Sequence, residues 1–290
     1  MYINFLLITY IKWLIKCNNM NDVEIYILTH KKFNESYDET IYKPLLNGSA
    51  LLEDDFGYMR DDVGDNISHL NEYFAELTGQ YWVWKNSDAD IVGFCHYRRW
   101  FVKNLKFEKL TKNDIINDLN KFDIILPQKT NFHKNVKETF RIVREEFPDY
   151  GIKFEDYGIL ESVIKSYFPD YYQAYNEHMK AKYMYNNNMF ICSKELADCY
   201  FNWIFEVIDK LKYEIDFSKY PEGNKRVFGF FTEHLLSVFV LKHQLKIKEH
   251  YQLVNERNHP IVHVINRRFP NFARLESIVF RVGSKLNFIK

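Results

Sequence analysis

At 290 residues, with 47% hydrophobic and 27% charged residues, the chain has the composition of a globular protein with a substantial core, not of a disordered or fibrous one. Lys plus Arg and Asp plus Glu both total 39, so overall charge gives no argument for nucleic acid, and any charged patch is local. The 25 Phe and 21 Tyr accompany many Lys, Asn and Ile residues, a bias that an AT-rich genome also produces, so aromatic stripes alone are poor evidence of ligand stacking.

The opening run MYINFLLITYIKWLIKC is interrupted by Lys12, is short for a bilayer span, and lacks a small-residue cleavage site and a basic leading region. A fresh start at Met20 makes residues 1–19 an extension or a misassigned start, with an interfacial helix as the alternative. VEIYILTH (23–30) is β-branched and aromatic, as a buried strand requires. In DNISHLNEYFAELTGQYWVWKN, Leu70, Tyr73, Phe74, Leu77, Tyr81 and Trp84 recur at helical spacing, which predicts one amphipathic helix with Asp65, Asn66 or Ser68 as its cap. IVGFC (91–95) and FDIILP (122–127) are short strands, the second stopped by Pro127.

Residues 128–156 lack a clear period and predict a long excursion or lid. Helical patterns resume over 156–181, NMFIC (188–192) is a further apolar run, and KELADCYFNWIFEVIDKLKY is a long amphipathic helix. TEHLLSVFVLKHQL (232–245) is apolar on nearly every side and predicts a buried helix. Cys17, Cys95, Cys192 and Cys199 form no C-x-x-C pair and have no zinc-site spacing, which favours a reducing compartment, with Cys192 and Cys199 as small core residues. Strands alternating with helices imply an α/β sheet with parallel members, in which ligands collect at the carboxyl ends of the strands. That rule sets two charged motifs against each other. Asp88 and Asp90 form a D-x-D that could hold a metal–diphosphate, but they precede the strand; His96, Tyr97, Arg98 and Arg99 come after it and emerge at the ligand edge.

GDNISHLNEYFAELTGQYWVWKN followed by VGFCHYRRWF resembles a bacterial family, domain of unknown function 4422, and the likeness continues through FDIILPQK, YNNNMFI and RVFGFFTEHLLSVFVLKHQLKIKE. Its members resemble GT-A-type glycosyltransferases of capsule and exopolysaccharide assembly, some of them galactofuranosyltransferases. One departure is that the family shows Glu-Arg where this chain has Glu233-His234, which keeps the carboxylate and removes a cation. The resemblance implies a GT-A-like α/β domain over 20–255, with a central, mostly parallel sheet flanked by helices.

The implied activity is that of a hexosyltransferase acting with inversion. It would move a sugar from a nucleotide donor, a UDP-sugar first among them, to a growing lipid-linked capsular polysaccharide, exopolysaccharide or O-antigen. No cofactor is required on this reading, and the partners are donor, lipid-linked acceptor and membrane surface, not nucleic acid. The protein would work in the cytoplasm, peripheral to the inner face of the membrane.

Guanidinium forks match phosphate oxygens, so Arg98 or Arg99, with His96 and Tyr97 beside them, would neutralise the diphosphate. In an extended backbone the two arginines point apart, so one of them is expected to make the contact. Glu233, placed after a Thr232 N-cap at a helix start, would activate the acceptor hydroxyl as general base. Asp65, Asn66, Ser68, Asn71, Lys85 and Asn86 would frame the nucleotide and donor sugar, unless they only cap and pack. Asn187 and Asn188 suit sugar hydroxyls on the acceptor side, and equally make turns. The tail 256–290 carries Arg267, Arg268, Arg274, Arg281, Lys285 and Lys290 among apolar residues, a pattern suited to anionic lipid. Two rival classes are a non-catalytic scaffold of polysaccharide assembly and a metal-dependent phosphohydrolase using Asp88 and Asp90.

Overall fold

The computed structural model describes residues 22–104, 106–146, 152–222 and 225–254. The expected extension 1–19 and basic tail 256–290 lie outside the described residues. Strand β1 (Val23–Thr29) is buried along nearly its whole length, as its continuous apolar run requires. Its odd positions Val23, Ile25 and Ile27 enter one core layer, and Tyr26 and Leu28 enter the other. It pairs in parallel with β2 (Tyr42–Leu46) on one side and β4 (Ile91–His96) on the other. The short β3 (Met59–Arg60) extends the parallel half beyond β2.

Beyond β4 the sheet changes character. Strand β5 (Arg99–Val102) returns directly from β4 through Tyr97 and Arg98, and a two-residue connection can join only antiparallel strands. Strands β6 (Ile124–Pro127), β9 (Ile191–Ser193) and β10 (Ile247–Val254) complete an eight-stranded sheet of order β3-β2-β1-β4-β5-β10-β6-β9, in which β9 also pairs antiparallel with β4. Strand β10 lies antiparallel to β5 and parallel to β6. The sheet is therefore mixed, not mostly parallel as the motif order suggested. A separate ribbon joins β7 (Thr130–Asn131) to β8 (Tyr183–Met184).

The helix expected over 65–86 is two helices. A 3-10 turn at Ser68–Leu70 leads into α1 (Asn71–Phe74), Ala75 breaks the run at φ 50°, and α2 (Leu77–Asn86) resumes. The break is held by side chains: Asn71 Nδ2 donates to the Ala75 carbonyl at 2.8 Å, and Thr78 Oγ1 donates to it at 3.2 Å. After α3 (Lys112–Leu119), the excursion 128–156 proves to contain a helix, α4 (Val136–Glu146). Helices α5 (Asp156–Tyr167), α6 (Pro169–Lys180), α7 (Lys194–Leu211) and α8 (Val227–Lys242) complete the helical set.

Helix α8 is buried on almost every face, as its sequence predicts, but starts five residues earlier than its apolar run suggested. Cys192 is in the core, whereas Cys199 lies on the exposed side of α7. Among the described residues, no helix is long and apolar enough to cross a membrane.

Candidate functional site at the carboxyl edge of the sheet

The carboxyl ends of β1, β2 and β4 open into a cleft of about 600 Å³, roofed by the α1–α2 break and the first two turns of α8. This is the edge where parallel strands leave their connections, and a ligand meets several of them at once. The β4–β5 turn delivers His96, Tyr97, Arg98 and Arg99 together to the cleft wall. Because the chain reverses between them, both arginines line the cleft, and the expectation that an extended backbone would separate them does not hold. Arg98 also lies over the Tyr97 ring, 4.9 Å from its centroid. Arg226, preceding α8, adds to this cationic wall, and His30, directly after β1, lines the cleft beside it. Burial lowers the proton affinity of His30, and the charges of Lys31, Arg98 and Arg226 lower it further, so the ring is neutral.

The same cleft also holds acids. Glu233 and Glu76 both line the cleft. Glu233 stands two turns into α8, not at a helix start. Thr232 is no cap, because its hydroxyl bonds back to the Phe228 and Gly229 carbonyls at 3.1 and 2.9 Å within the helix. The helix dipole, which fades beyond the first turn, is thus not what governs this carboxylate. Burial pushes the Glu233 carboxyl up to about 8, and the charge of Glu76 adds to that; the Asn187 amide, Arg99 and Arg144 act in the opposite direction.

His234, which stands where the family has an arginine, points into the core. Its Nε2 lies 3.1 Å from the Tyr157 hydroxyl and its Nδ1 2.9 Å from His178 Nε2, and burial keeps both imidazoles neutral. The buried Arg144 of α4 is the cation within electrostatic reach of both Tyr157 and Glu233.

Asn187 and Asn188 both adopt left-handed backbone conformations, at φ 72° and 48°, which asparagine tolerates better than most residues. The turn they make is a clamp. The Asn187 N–H donates to Glu233 Oε1 at 3.0 Å, and the Asn187 carbonyl accepts from His96 Nε2 at 2.7 Å, which fixes the neutral His96 ring with its proton on that nitrogen. Asn188 is buried below the cleft, its Nδ2 donating to Glu76 Oε1 at 2.7 Å and to the Gly229 carbonyl at 2.8 Å. Asn187 therefore reaches the cleft and Asn188 supports it.

Of the residues expected to frame the donor, the structure brings only Asn71 to the cleft, seated where any Cβ on Gly48 would collide with it. Ser68 is buried, donating to Asp61 and accepting from the Ala50 N–H, and so completes the set of donors around a fully buried carboxylate. Asn66 bonds the Asp62 and Gly64 carbonyls, and Asp65 bonds Tyr81 and Asn86. Lys85 lies 3.3 Å from the Trp84 ring centroid at the far end of α2, roughly 14 Å along the axis from Glu76. These five residues (Asp65, Asn66, Ser68, Lys85, Asn86) brace the fold and do not line the cleft.

Asp88 and Asp90 sit at the amino edge of the sheet, where Asp90 Oδ2 accepts from the Asp22 N–H at 3.0 Å. Among the described residues, no group of three or more His, Cys, Asp or Glu side chains is gathered for metal binding.

Sequence reasoning missed Glu76, Arg226, His30 and Asn47. Asn47 comes directly after β2 and lines the cleft while 93% buried, and its side-chain oxygen has no hydrogen-bond partner among the described residues. His30 and Asn47 could have been found by taking the first residue beyond the carboxyl end of each strand; Glu76 is visible only once Ala75 is known to break the helix.

The chain matches the model of a domain of unknown function, DUF4422, over residues 24–244. No curated protein matches it. Its fold is similar to the solved apo structure of the bifunctional glycosyltransferase WbbM, with a TM-score of 0.71 and 31% identity over 80% of this chain. That alignment covers 45% of WbbM, so the chain spans less than half the length of its structural neighbour. With the family model spanning most of its length and a glycosyltransferase-like α/β fold around the cleft, the chain belongs to the DUF4422 family.

Proposed function

We propose that the cleft is the active site of an inverting glycosyltransferase that moves a sugar from a nucleotide donor to a hydroxyl of a growing surface polysaccharide. The observation that carries this reading is that one cleft brings a carboxylate of raised proton affinity together with a group of arginines. In the reaction, Glu233 takes the proton of the acceptor hydroxyl, and the oxygen forms its bond to the anomeric carbon. The bond from that carbon to the donor phosphate breaks on the opposite face, and its electron pair leaves with the diphosphate. Arg98 and Arg99, joined by Arg226, hold the charge that develops there, in a site that is already assembled. His96, neutral and fixed by the Asn187 carbonyl, shapes the wall between the two ends of the reaction.

The donor is a UDP-sugar, with UDP-galactofuranose to be tried first. The acceptor is a lipid-linked oligosaccharide reached from the cytoplasmic face of the membrane. The fold shared with WbbM supports glycosyl transfer, and the arginine wall supports a diphosphate donor held without a metal.

The test is a panel of nucleotide sugars, with and without EDTA, read by binding and by nucleotide release. Release that survives EDTA, persists in Asp88→Ala, Asp90→Ala protein and vanishes in Arg98→Ala, Arg99→Ala protein is expected. Release abolished by EDTA would return the D-x-D to the site, and failure to bind any donor would overturn the transferase reading in favour of a scaffold.

A further inference from the structure

Glu76 has no role in the proposed mechanism, yet it shares the cleft with Glu233, and adjacent residues of one turn hold the two carboxylates. The Asn187 N–H donates to Glu233, and the Asn188 side-chain amide donates to Glu76. That same amide donates to the Gly229 carbonyl of α8, one helical turn before Glu233. Residues i and i+4 share a helix face. Glu76 lies directly over the first of these positions: its Oε2 is 3.6 Å from where a Cβ on Gly229 would stand. The absence of a side chain at Gly229 leaves room for Glu76, so the second carboxylate lies against α8 about one turn from the first.

We propose that Glu76 and Glu233 form one carboxylate pair that holds a single proton between them, with Glu76 the positioning residue that sets how strongly Glu233 takes a proton from the acceptor. Two carboxylates about one helical turn apart resist being ionised together, so the charge of Glu76 holds the Glu233 proton to a higher pH than Glu233 would keep it alone. The pair gives the enzyme a base poised near neutral pH without placing a histidine at the reacting hydroxyl.

The other charged or titratable groups facing Glu233 belong to every element around it. They are His30 after β1, Glu72 of α1 (ion-paired with Lys225 at 3.1 Å), His96, Tyr97, Arg98 and Arg99 at the β4–β5 turn, Arg144 of α4, Tyr157 of α5 and Arg226 before α8. Arg99 and Arg144 favour ionised Glu233. Burial is the largest source of the raised proton affinity, and the charge of Glu76 adds to it.

The inference rests on the cleft being the transferase site, but its test does not. The full chain labelled with carboxyl ¹³C glutamate would be titrated by NMR, with Glu233 assigned through Glu233→Gln. In the wild type, the Glu233 signal is expected to titrate near pH 8, and the Glu76 signal to shift at that same pH as its neighbour ionises. In Glu76→Gln, which keeps an oxygen to accept from Asn188, the Glu233 midpoint should fall by about one pH unit. In the transfer reaction, the pH at half-maximal rate should fall with it, whereas a purely structural loss lowers the rate equally at every pH.

A Glu233 midpoint unmoved in Glu76→Gln would overturn the pair. So would a Glu76 signal that passes through the Glu233 midpoint without response; that reading is made on the wild type, with Glu76 assigned through Glu76→Asp should Glu76→Gln fail to fold. A protein that titrates as a pair but transfers from no donor would refute the transferase and leave the pair standing.

Discussion

Replacing Glu233 by glutamine separates the catalytic from the structural consequence of this carboxylate, because the Gln oxygen still accepts the Asn187 N–H. In the folded protein Glu233 keeps its proton to about pH 8, while in the unfolded chain it releases it near 4.5. Between these values the folded state binds more protons, so the stability tied to this group is complete below about 4.5 and is lost as pH rises through 8. The gap between 4.5 and about 8, at about 1.4 kcal/mol per pH unit, sets a ceiling of roughly 5 kcal/mol. Solvent reaching the cleft side of the carboxylate reduces it to about 3 kcal/mol.

Glutamine does not titrate, so the variant escapes that loss. Its melting temperature should match the wild type near pH 5 and exceed it by about 6–12 °C at pH 9, measured by differential scanning calorimetry across pH. Transfer should fall by roughly 10²–10⁴-fold, and the wild-type rate should rise with pH to a plateau above about 8. A variant whose melting temperature tracks the wild type at every pH would refute the buried-acid reasoning. A variant that is stabilised but fully active would refute only the assignment of Glu233 as base.

Arg98→Ala or Arg99→Ala should each weaken binding of a nucleoside diphosphate by about 10- to 100-fold, since a charge-assisted hydrogen bond contributes about 1.5–3 kcal/mol. The loss should shrink as salt rises, and isothermal titration calorimetry in two ionic strengths would measure it. Ser68→Ala should destabilise the fold by about 2 kcal/mol, because the buried Asp61 loses a donor and the Ala50 N–H its acceptor. Nucleotide-sugar affinity of that variant should be unchanged. Weaker binding at equal stability would return Ser68 to the pocket.

How legible each feature is in the chain depends on how local it is. Strands β1, β4 and β6 announce themselves as apolar runs, and the rule for carboxyl ends then separates His96–Arg99 from Asp88 and Asp90 without any coordinates. The D-N-I-S block was equally visible, but a motif does not say what its polar groups face. Ser68 and Asn66 have the chemistry of a cap or a sugar ligand, and in the fold they spend it on Asp61 and on backbone carbonyls. The start of α8 was misplaced because Val227, Phe228 and Phe231 continue the apolar run without a break, and Thr232 then reads as a cap when it is an interior residue.

Strand β10 escaped because its polar residues face inward as well as out: His250 and Gln252 are buried beside Val254, which erases the alternation that marks a strand. Glu76 was hidden for a different reason. On an unbroken helix it is one more exposed acid among helical residues. Only the left-handed backbone at Ala75, held by Asn71 and Thr78, turns it over Gly229, and that contact joins residues more than 150 positions apart. Periodicity registers neighbours within a few turns; a carboxylate pair assembled by two distant helices and an asparagine turn leaves no periodic trace. The residues that tune the chemistry of this cleft are thus harder to find in the sequence than those that bind charge, which need only emerge at the right end of a strand.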